Sequence, residues 1–177
     1  MPNPRRAVQE AHEKFNVNLL VDTLNKRHRS EFKVISEPNP PEAIIQSGKT
    51  TRWVEVVTAF WNSAFAKDLY SHATEGEEHK PIGDGLFMNV TPEFAKNFVT
   101  AVQSKLEKTA YEPFRDAYGP GYLLVSIQFP FFGKNAFDFI DREWRAHEIQ
   151  DCGCFRSIYL AYRVFNGYRV MKWQPPA

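Results

Sequence analysis

The chain has 177 residues, of which 43% are hydrophobic and 15% aromatic, and its formal net charge at pH 7 is +1. This length and apolar content predict a single domain over residues 1–177 and exclude an intrinsically disordered chain. The near-neutral charge excludes a general electrostatic attraction to nucleic acid, so any basic binding site has to be local.

The cysteines and the N-terminus indicate the compartment. Cys152 and Cys154 are too close in sequence for an easy disulfide with each other, and no second pair completes a zinc site. The N-terminus lacks the apolar segment of a signal peptide, and no stretch reaches transmembrane length. The sequence therefore predicts a cytoplasmic protein with no membrane association.

The first predicted element is a long helix over residues 5–29, which contains no Gly or Pro. Two apolar stripes at helical spacing predict burial on two sides: Val8, Ala11, Phe15 and Leu19, and then Val17, Leu20 and Leu24. Glu13 lies four residues before Val17 and so points along the second stripe, with Glu10 just beside it. Glu13 is either a site residue or a solvated glutamate that favours the helix dipole.

The connection to the next elements combines positive charge with proline. The cluster Lys26–Arg29 ends the helix, which suits a helix C-terminus and would also suit contact with phosphate groups. Residues 31–36 alternate enough to predict a first strand. The proline-rich segment 37–41 ends that strand and delivers the chain extended into the next, because residues before proline avoid the α region.

The central feature of the sequence is a predicted β-hairpin with strands over residues 40–46 and 51–58. Gly48 lies where a two-residue type II′ loop needs glycine, and the resulting register places Glu42 opposite Glu55. Directly opposed side chains lie roughly 4.5–5.5 Å apart, and like charges there repel. Two such carboxylates need a compensating cation, and a divalent metal with oxygen ligands is the natural candidate. A three-residue loop would instead put them on opposite faces.

Helix signals follow the hairpin. Residues 59–70 have helical spacing, 72–84 predict a polar surface loop, and a second helix is predicted from an N-cap at Thr91 to residue 111 or 112. Lys105 falls inside the apolar arc of that second helix, and Lys108 lies at its edge. These lysines either snorkel to solvent or border a site that requires positive charge.

The C-terminal part completes a sheet. Residues 122–129 are almost continuously apolar, as in a central strand covered on both faces. A helix over 137–149 follows, and then a hairpin with strands over 155–165 and 168–173 around Asn166-Gly167. This order predicts an α/β fold with a mixed central β-sheet flanked by helices and a C-terminal β-hairpin.

These elements resemble the PD-(D/E)XK restriction-endonuclease-like nuclease superfamily over roughly residues 10–130, which implies a restriction-endonuclease-like core. Pro41-Glu42 resembles the Pro-Asp position, Glu55-Val56-Val57 the acid-x-Lys position, and Glu13 (or Glu10) the acid of the N-terminal helix. Two departures stand out: Glu42 replaces the usual Asp, and Val57 occupies the lysine position. The segment 102–111 is similar to the arrangement in which a following helix supplies the lysine.

The resemblance implies a metal-dependent nuclease that hydrolyses phosphodiester bonds, with DNA favoured over RNA. Glu42, Glu55 and Glu13 would bind Mg²⁺ or Mn²⁺. Lys105, with Lys108 second, would orient or deprotonate the attacking water or stabilise the developing charge. Phosphate contacts are predicted at other basic residues: Arg5, Arg6, Lys49, Arg52 and the cluster Lys26–Arg29.

The alternative is a non-catalytic binding or assembly module on the same fold. Glu55 and Lys105 would then be a buried structural ion pair, which explains both residues without chemistry. The valine at position 57 and the near-neutral charge favour this alternative. The sequence leaves the recognition sequence, the pathway and the existence of a homo-oligomer open.

Overall fold

The computed structural model describes residues 4–83 and 88–176. The described helices and strands are, in chain order, α1 Pro4–His28, β1 Lys33–Ser36, β2 Ala43–Ser47, β3 Thr50–Phe60, α2 Ser63–Ala73, α3 Val90–Leu106, α4 Glu112–Tyr118, β4 Gly121–Gln128, α5 Lys134–Ala146, β5 Phe155–Val164 and β6 Gly167–Trp173. A 3-10 turn, Thr109–Tyr111, lies between α3 and α4. None of the described helices combines the length and apolarity needed to cross a membrane.

The strands form one six-stranded sheet in the order β1-β2-β3-β4-β5-β6. β4 runs parallel to both β3 and β5, and the other neighbouring pairs are antiparallel. The predicted α/β fold with a mixed sheet and flanking helices is therefore confirmed. The C-terminal hairpin is present as β5 and β6, but Val164 pairs with Gly167, so its loop residues are Phe165 and Asn166 rather than Asn166 and Gly167.

Each face of the sheet is covered by its own apolar core. On one face α1 contributes Val17, Leu20, Val21 and Leu24, which pack with alternate residues of β2 to β5. On the other face α3 and α5 pack over Trp53 and the inward residues of β4 and β5. Burying a large apolar side chain stabilises the fold by roughly 1.5–3 kcal/mol. Two-sided burial explains why β4 is apolar at nearly every position.

The β2–β3 hairpin has the predicted register. Gly48 has φ +56°, and Ile44 pairs with Trp53. β2 begins at Ala43, opposite Val54, so Glu42 is the residue directly before the strand. β3 continues to Phe60 beyond its last pair with β2. The edge of β3 that β2 leaves uncovered therefore begins at Glu55.

The prediction that α1 is buried on two sides was wrong. Phe15 is 43% exposed, and its ring lies edge-on to Tyr168 of the edge strand β6, at 5.0 Å between ring centroids. The buried face is the second predicted stripe, to which the structure adds Asn16 and Val21. The reason is that α1 lies across one sheet face, and no other described helix or strand covers its outer side.

The predicted helix over residues 59–70 was misplaced. β3 runs on to Phe60, and α2 begins at Ser63, after Asn62 accepts a hydrogen bond from the Phe65 amide as N-cap. The pairing of β3 with β4 up to Phe60 outweighs the helical spacing of this stretch. The loop predicted over 72–84 begins after Ala73, and its last residue lies outside the described residues.

The helix predicted from Thr91 to residue 111 or 112 is interrupted. Its N-cap is Asn89, in the left-handed region with φ +55°, and the helix ends at Leu106. Pro113 lies in the first turn of α4, where proline is tolerated, instead of ending α3. Lys105 consequently lies in the last turn of α3, whereas Lys108 lies beyond the helix in an extended conformation. The helix predicted over 137–149 is displaced by three residues.

Candidate active site

A cleft of about 340 Å³ opens beside the uncovered edge of β3. Its walls come from α1, the connection before β2, β3, α2, the last turn of α3 and the residues after that helix up to Tyr111. The lining includes every residue that the sequence predicted to be catalytic: Glu13, Glu42, Glu55, Lys105 and Lys108. The fold thus brings together residues from four separate stretches of the chain.

Glu55 and Lys105 form a buried ion pair in this cleft. The side chain of Glu55 is 1% exposed and that of Lys105 is 18% exposed. Lys105 Nζ donates a hydrogen bond to Glu55 Oε1. The contact that the sequence predicted between these residues is therefore present, and Lys105 is not a snorkelling lysine.

Val57 lies two residues after Glu55 and so faces the same side of β3. It packs against the apolar core under α3. Lys105 reaches this face of β3 from the neighbouring helix. The structure places an ammonium group beside Glu55 in spite of the valine.

Glu42 is half-buried at the mouth of the cleft. Its pKa is raised from the ordinary value of 4.5 to about 8, by burial first and then by the negative charges of Glu55 and Glu13, while Lys105 and Lys108 act in the opposite direction. The three carboxylates are therefore close enough to influence one another. An added cation would relieve their repulsion.

Two carboxylate oxygens in the cleft are buried without a hydrogen-bond partner among the described residues: Glu42 Oε2 and Glu55 Oε2. A buried polar atom left unsatisfied costs about 1–3 kcal/mol. Anionic oxygen atoms are the ligands that Mg²⁺ and Mn²⁺ prefer, so this donor set fits such an ion. Among the described residues, however, no three or more His, Cys, Asp or Glu side chains are grouped as a ready-made metal site. An ion held here would take its remaining ligands from water or substrate, as Mg²⁺ commonly does.

Two tyrosines line the cleft that the sequence did not single out. Tyr111 is 1% exposed and stacks on Trp53 at 5.5 Å between ring centroids. Its pKa is raised by burial first and then by the charge of Glu55, so its hydroxyl stays protonated. Tyr70 comes from α2 and has the guanidinium of Arg5 over its ring at 5.2 Å. An isolated tyrosine gives no spacing signal in a sequence, so neither could be found there.

The end of α3 that holds Lys105 is fixed by a close backbone contact. A Cβ atom at Gly153 would lie 2.3 Å from the carbonyl oxygen of Leu106, and Gly153 has φ +56°. Only glycine permits both that approach and that conformation. The segment before β5 therefore helps to set the position of Lys105.

Glu13 and Glu10 are placed differently relative to the cleft. Glu10 is exposed and accepts a hydrogen bond from Arg6 Nε at 2.8 Å. Arg6 and Glu10 both line a neighbouring groove of about 600 Å³ between α1 and the β1–β2 connection, but neither of these two residues lines the cleft with Glu55. Glu13 lines both spaces and is the α1 carboxylate nearest the candidate site.

The predicted phosphate contacts are spread over the molecule. The guanidinium of Arg5 lies over the ring of Tyr70, which lines the cleft. Lys49, by contrast, lies in the β2–β3 turn, at the opposite end of β2 from Glu42. Arg52 Nη1 donates to the carbonyl oxygens of Thr51 at 2.7 Å and Tyr118 at 3.3 Å and does not line the cleft. The Lys26–Arg29 cluster is at the far end of α1 from Glu13. Among the predicted contact residues, Arg5 thus lies beside Tyr70 of the cleft, and Arg6 lines the neighbouring groove together with Glu13 and Glu42.

Comparison of the chain with protein-family models, with curated proteins and with solved structures found no match. The fold is α/β with a six-stranded mixed sheet, and its candidate site is a cleft of three carboxylates and two lysines. A function for this chain consequently has to be argued from the cleft.

Proposed function

We propose that this protein is a metal-dependent nuclease that hydrolyses phosphodiester bonds in the cleft beside β3, with DNA favoured over RNA. The observation that carries the proposal is the pair of buried Oε2 atoms of Glu42 and Glu55, which no described residue satisfies, next to the ammonium group of Lys105. The order of α1, β1 to β3, α3 and β4 supports a restriction-endonuclease-like core around them.

Glu42 and Glu55 would hold Mg²⁺ or Mn²⁺, with Glu13 as a third carboxylate acting directly or through water. Bound there, the ion would supply Lewis acidity towards water and neutralise charge on the phosphodiester. Glu42 retains its proton at neutral pH in the ion-free protein, because its pKa is about 8. Binding a cation and losing that proton are therefore linked events.

The residues of the chain then act on the hydrolysis itself. A water oxygen forms a bond to phosphorus and loses a proton, while the bond from phosphorus to the leaving oxygen breaks and that oxygen gains a proton. Lys105 is fixed at Oε1 of Glu55, where its ammonium group orients the water and offsets negative charge that develops at phosphorus. Lys108 is a second, exposed cation on the rim.

A second candidate function is a non-catalytic binding or assembly module. The Glu55–Lys105 pair favours it, because the lysine already compensates the buried carboxylate. In that case Lys105 only stabilises the fold. The two candidates differ in what happens when a divalent ion and nucleic acid are added.

The test is cleavage of plasmid DNA, single-stranded DNA and RNA in the presence of Mg²⁺ or Mn²⁺. We expect cleavage by the wild type and none by Glu55→Ala. Glu10→Ala is the matched control, since it removes an exposed glutamate outside the cleft and should leave cleavage unchanged. Absence of cleavage by a folded wild-type protein on all three substrates would support the binding module instead.

A further inference from the structure

A second, smaller cavity of about 220 Å³ lies between α1, α2 and the sheet. Phe60, Tyr70 and Tyr168 provide aromatic surface, and the first two rings lie 5.6 Å apart, tilted by 58°. Leu69 adds aliphatic surface. The cavity is below the roughly 300–1,000 Å³ of typical small-molecule sites, which suits one flat ring system.

Polar groups lie at one end of this otherwise apolar space. His12 and Gln128 line it, and the buried side chains of Asn16 and Ser126 lie behind them. His12 Nε2 is 3.2 Å from Asn16 Nδ2, 3.2 Å from Ser126 Oγ and 3.4 Å from Gln128 Nε2. All three groups can donate a hydrogen bond, but the imidazole nitrogen has a single lone pair to accept one.

Gln128 is the member of this cluster that remains available to a ligand. The contacts of its amide nitrogen, to His12 Nε2 and Ser126 Oγ, are both 3.4 Å long. Hydrogen bonds of this type ordinarily measure about 2.7–3.2 Å, so the amide is only weakly engaged. An amide can donate and accept side by side, which matches the edge of a heterocyclic base.

The cavity and the cleft adjoin each other. Tyr70 lines both of them, and His12 in the cavity is the neighbour of Glu13 in the cleft on α1. A single nucleotide can therefore place its phosphate among the carboxylates and its base beyond Tyr70. The base has to be unpaired to enter, because a base pair is larger than a cavity that suits one ring system.

We propose that this cavity binds one nucleobase of the substrate, which makes single-stranded nucleic acid, or a duplex with an unpaired nucleotide, the substrate class. The proposal rests on the proposed function, because the base pocket is defined by its position relative to the phosphodiester that the nuclease would cleave. The aromatic side chains provide stacking that tolerates different bases, and Gln128 recognises the base edge.

The direct test is titration of uncharged deoxynucleosides into the ¹⁵N-labelled protein in EDTA, followed by NMR. We expect saturable shifts centred on the Gln128 side-chain amide. Ala73→Phe, at the exposed end of α2 where it lines the cavity, should abolish them, and Ala64→Phe, exposed on the same helix outside the cavity, should leave them intact. Saturable shifts that persist in Ala73→Phe, or none in the wild type, would overturn the proposal.

A cleavage assay separates this inference from the nuclease itself. In Mg²⁺, the wild type should cleave a single-stranded oligonucleotide at least tenfold faster than the same chain made entirely of abasic nucleotides. Equal cleavage of the two chains would refute the base pocket and leave the nuclease standing. Saturable nucleoside binding without any cleavage would support the pocket and count against hydrolysis.

Discussion

Lys105, in the last turn of α3, donates a hydrogen bond to Oε1 of Glu55, which lies in β3 with its side chain 1% exposed. An isolated carboxylate at such a depth would be costly, and the ammonium group of Lys105 offsets that cost. Glu55 Oε2 meanwhile accepts no hydrogen bond from the described residues. One oxygen of the carboxylate is compensated, and the other is buried without a partner among the described residues.

Replacing Lys105 with methionine should lower the free energy of unfolding by ~3–5 kcal/mol in EDTA, because it leaves a buried carboxylate without its partner. Methionine keeps the apolar stem, so no large cavity is created. Chemical denaturation measures the effect. Lys108→Met is the control: this lysine is exposed, and its loss should change stability by no more than ~0.5 kcal/mol. Equal losses in the free energy of unfolding for the two variants would show that the ion pair does not stabilise the fold.

The stability of the ion-free protein should depend on the charge of Glu42. Its folded-state pKa is about 8 and its ordinary value is 4.5, so the unfolded chain loses this proton first and the stability contributed by protonated Glu42 is lost as pH rises from about 4.5 through 8. Glu42→Gln removes the titration. Its melting temperature should match that of the wild type at pH 4.5 and exceed it increasingly up to pH 9. A constant difference across this range would contradict the coupling of Glu42 to its neighbours.

Mg²⁺ or Mn²⁺ should raise the melting temperature of the wild type, because an ion bound only by the folded state stabilises it by about 2.7 kcal/mol at a hundredfold excess over Kd. The double variant Glu42→Ala/Glu55→Ala should lose this response. Differential scanning fluorimetry with and without the ion measures it. The same increase in both proteins would locate the ion elsewhere.

Gly153→Ala should destabilise the protein and weaken the site, because a methyl group would collide with the backbone of Leu106 next to Lys105. Gly48→Ala is a matched control, since Gly48 has the same φ of +56° but open space around it. The control substitution should lower the free energy of unfolding by ~1–2 kcal/mol, because alanine is strained in the left-handed conformation. Gly153→Ala should cost at least ~1 kcal/mol more from overlap in a packed region, as measured by denaturation. Equal costs would show that the contact with α3 does not matter.

Local patterns predicted the parts of the site that depend on the β2–β3 hairpin. The turn at Gly48 set its register, and the register brought Glu42 towards Glu55. Lys105 was identified because a charged residue interrupts an apolar stripe, which reports burial near a counter-charge. Each of these signals lies within one short, continuous stretch of the chain.

The remaining features depend on contacts between distant elements. Gly153, which lies far along the chain, approaches the backbone of Leu106 where α3 ends, and Phe15 is exposed on the side of α1 that faces away from the sheet core. Tyr70 and Tyr111 join the cleft only through the packing of α2 and of the 3-10 turn. No periodicity within a single stretch of sequence contains that information.

The most direct test of the central claim is the single-turnover rate of cleavage of single-stranded DNA at increasing Mn²⁺, measured for the wild type and Lys105→Met at a temperature where both are folded. The wild type should show cleavage that rises to saturation with Mn²⁺. At saturating Mn²⁺ the variant should be at least about 100-fold slower, since the ammonium group acts on the charge that develops at phosphorus and is not a metal ligand. Cleavage by the variant at the wild-type rate, or no cleavage by the wild type at any Mn²⁺ concentration, would contradict the account.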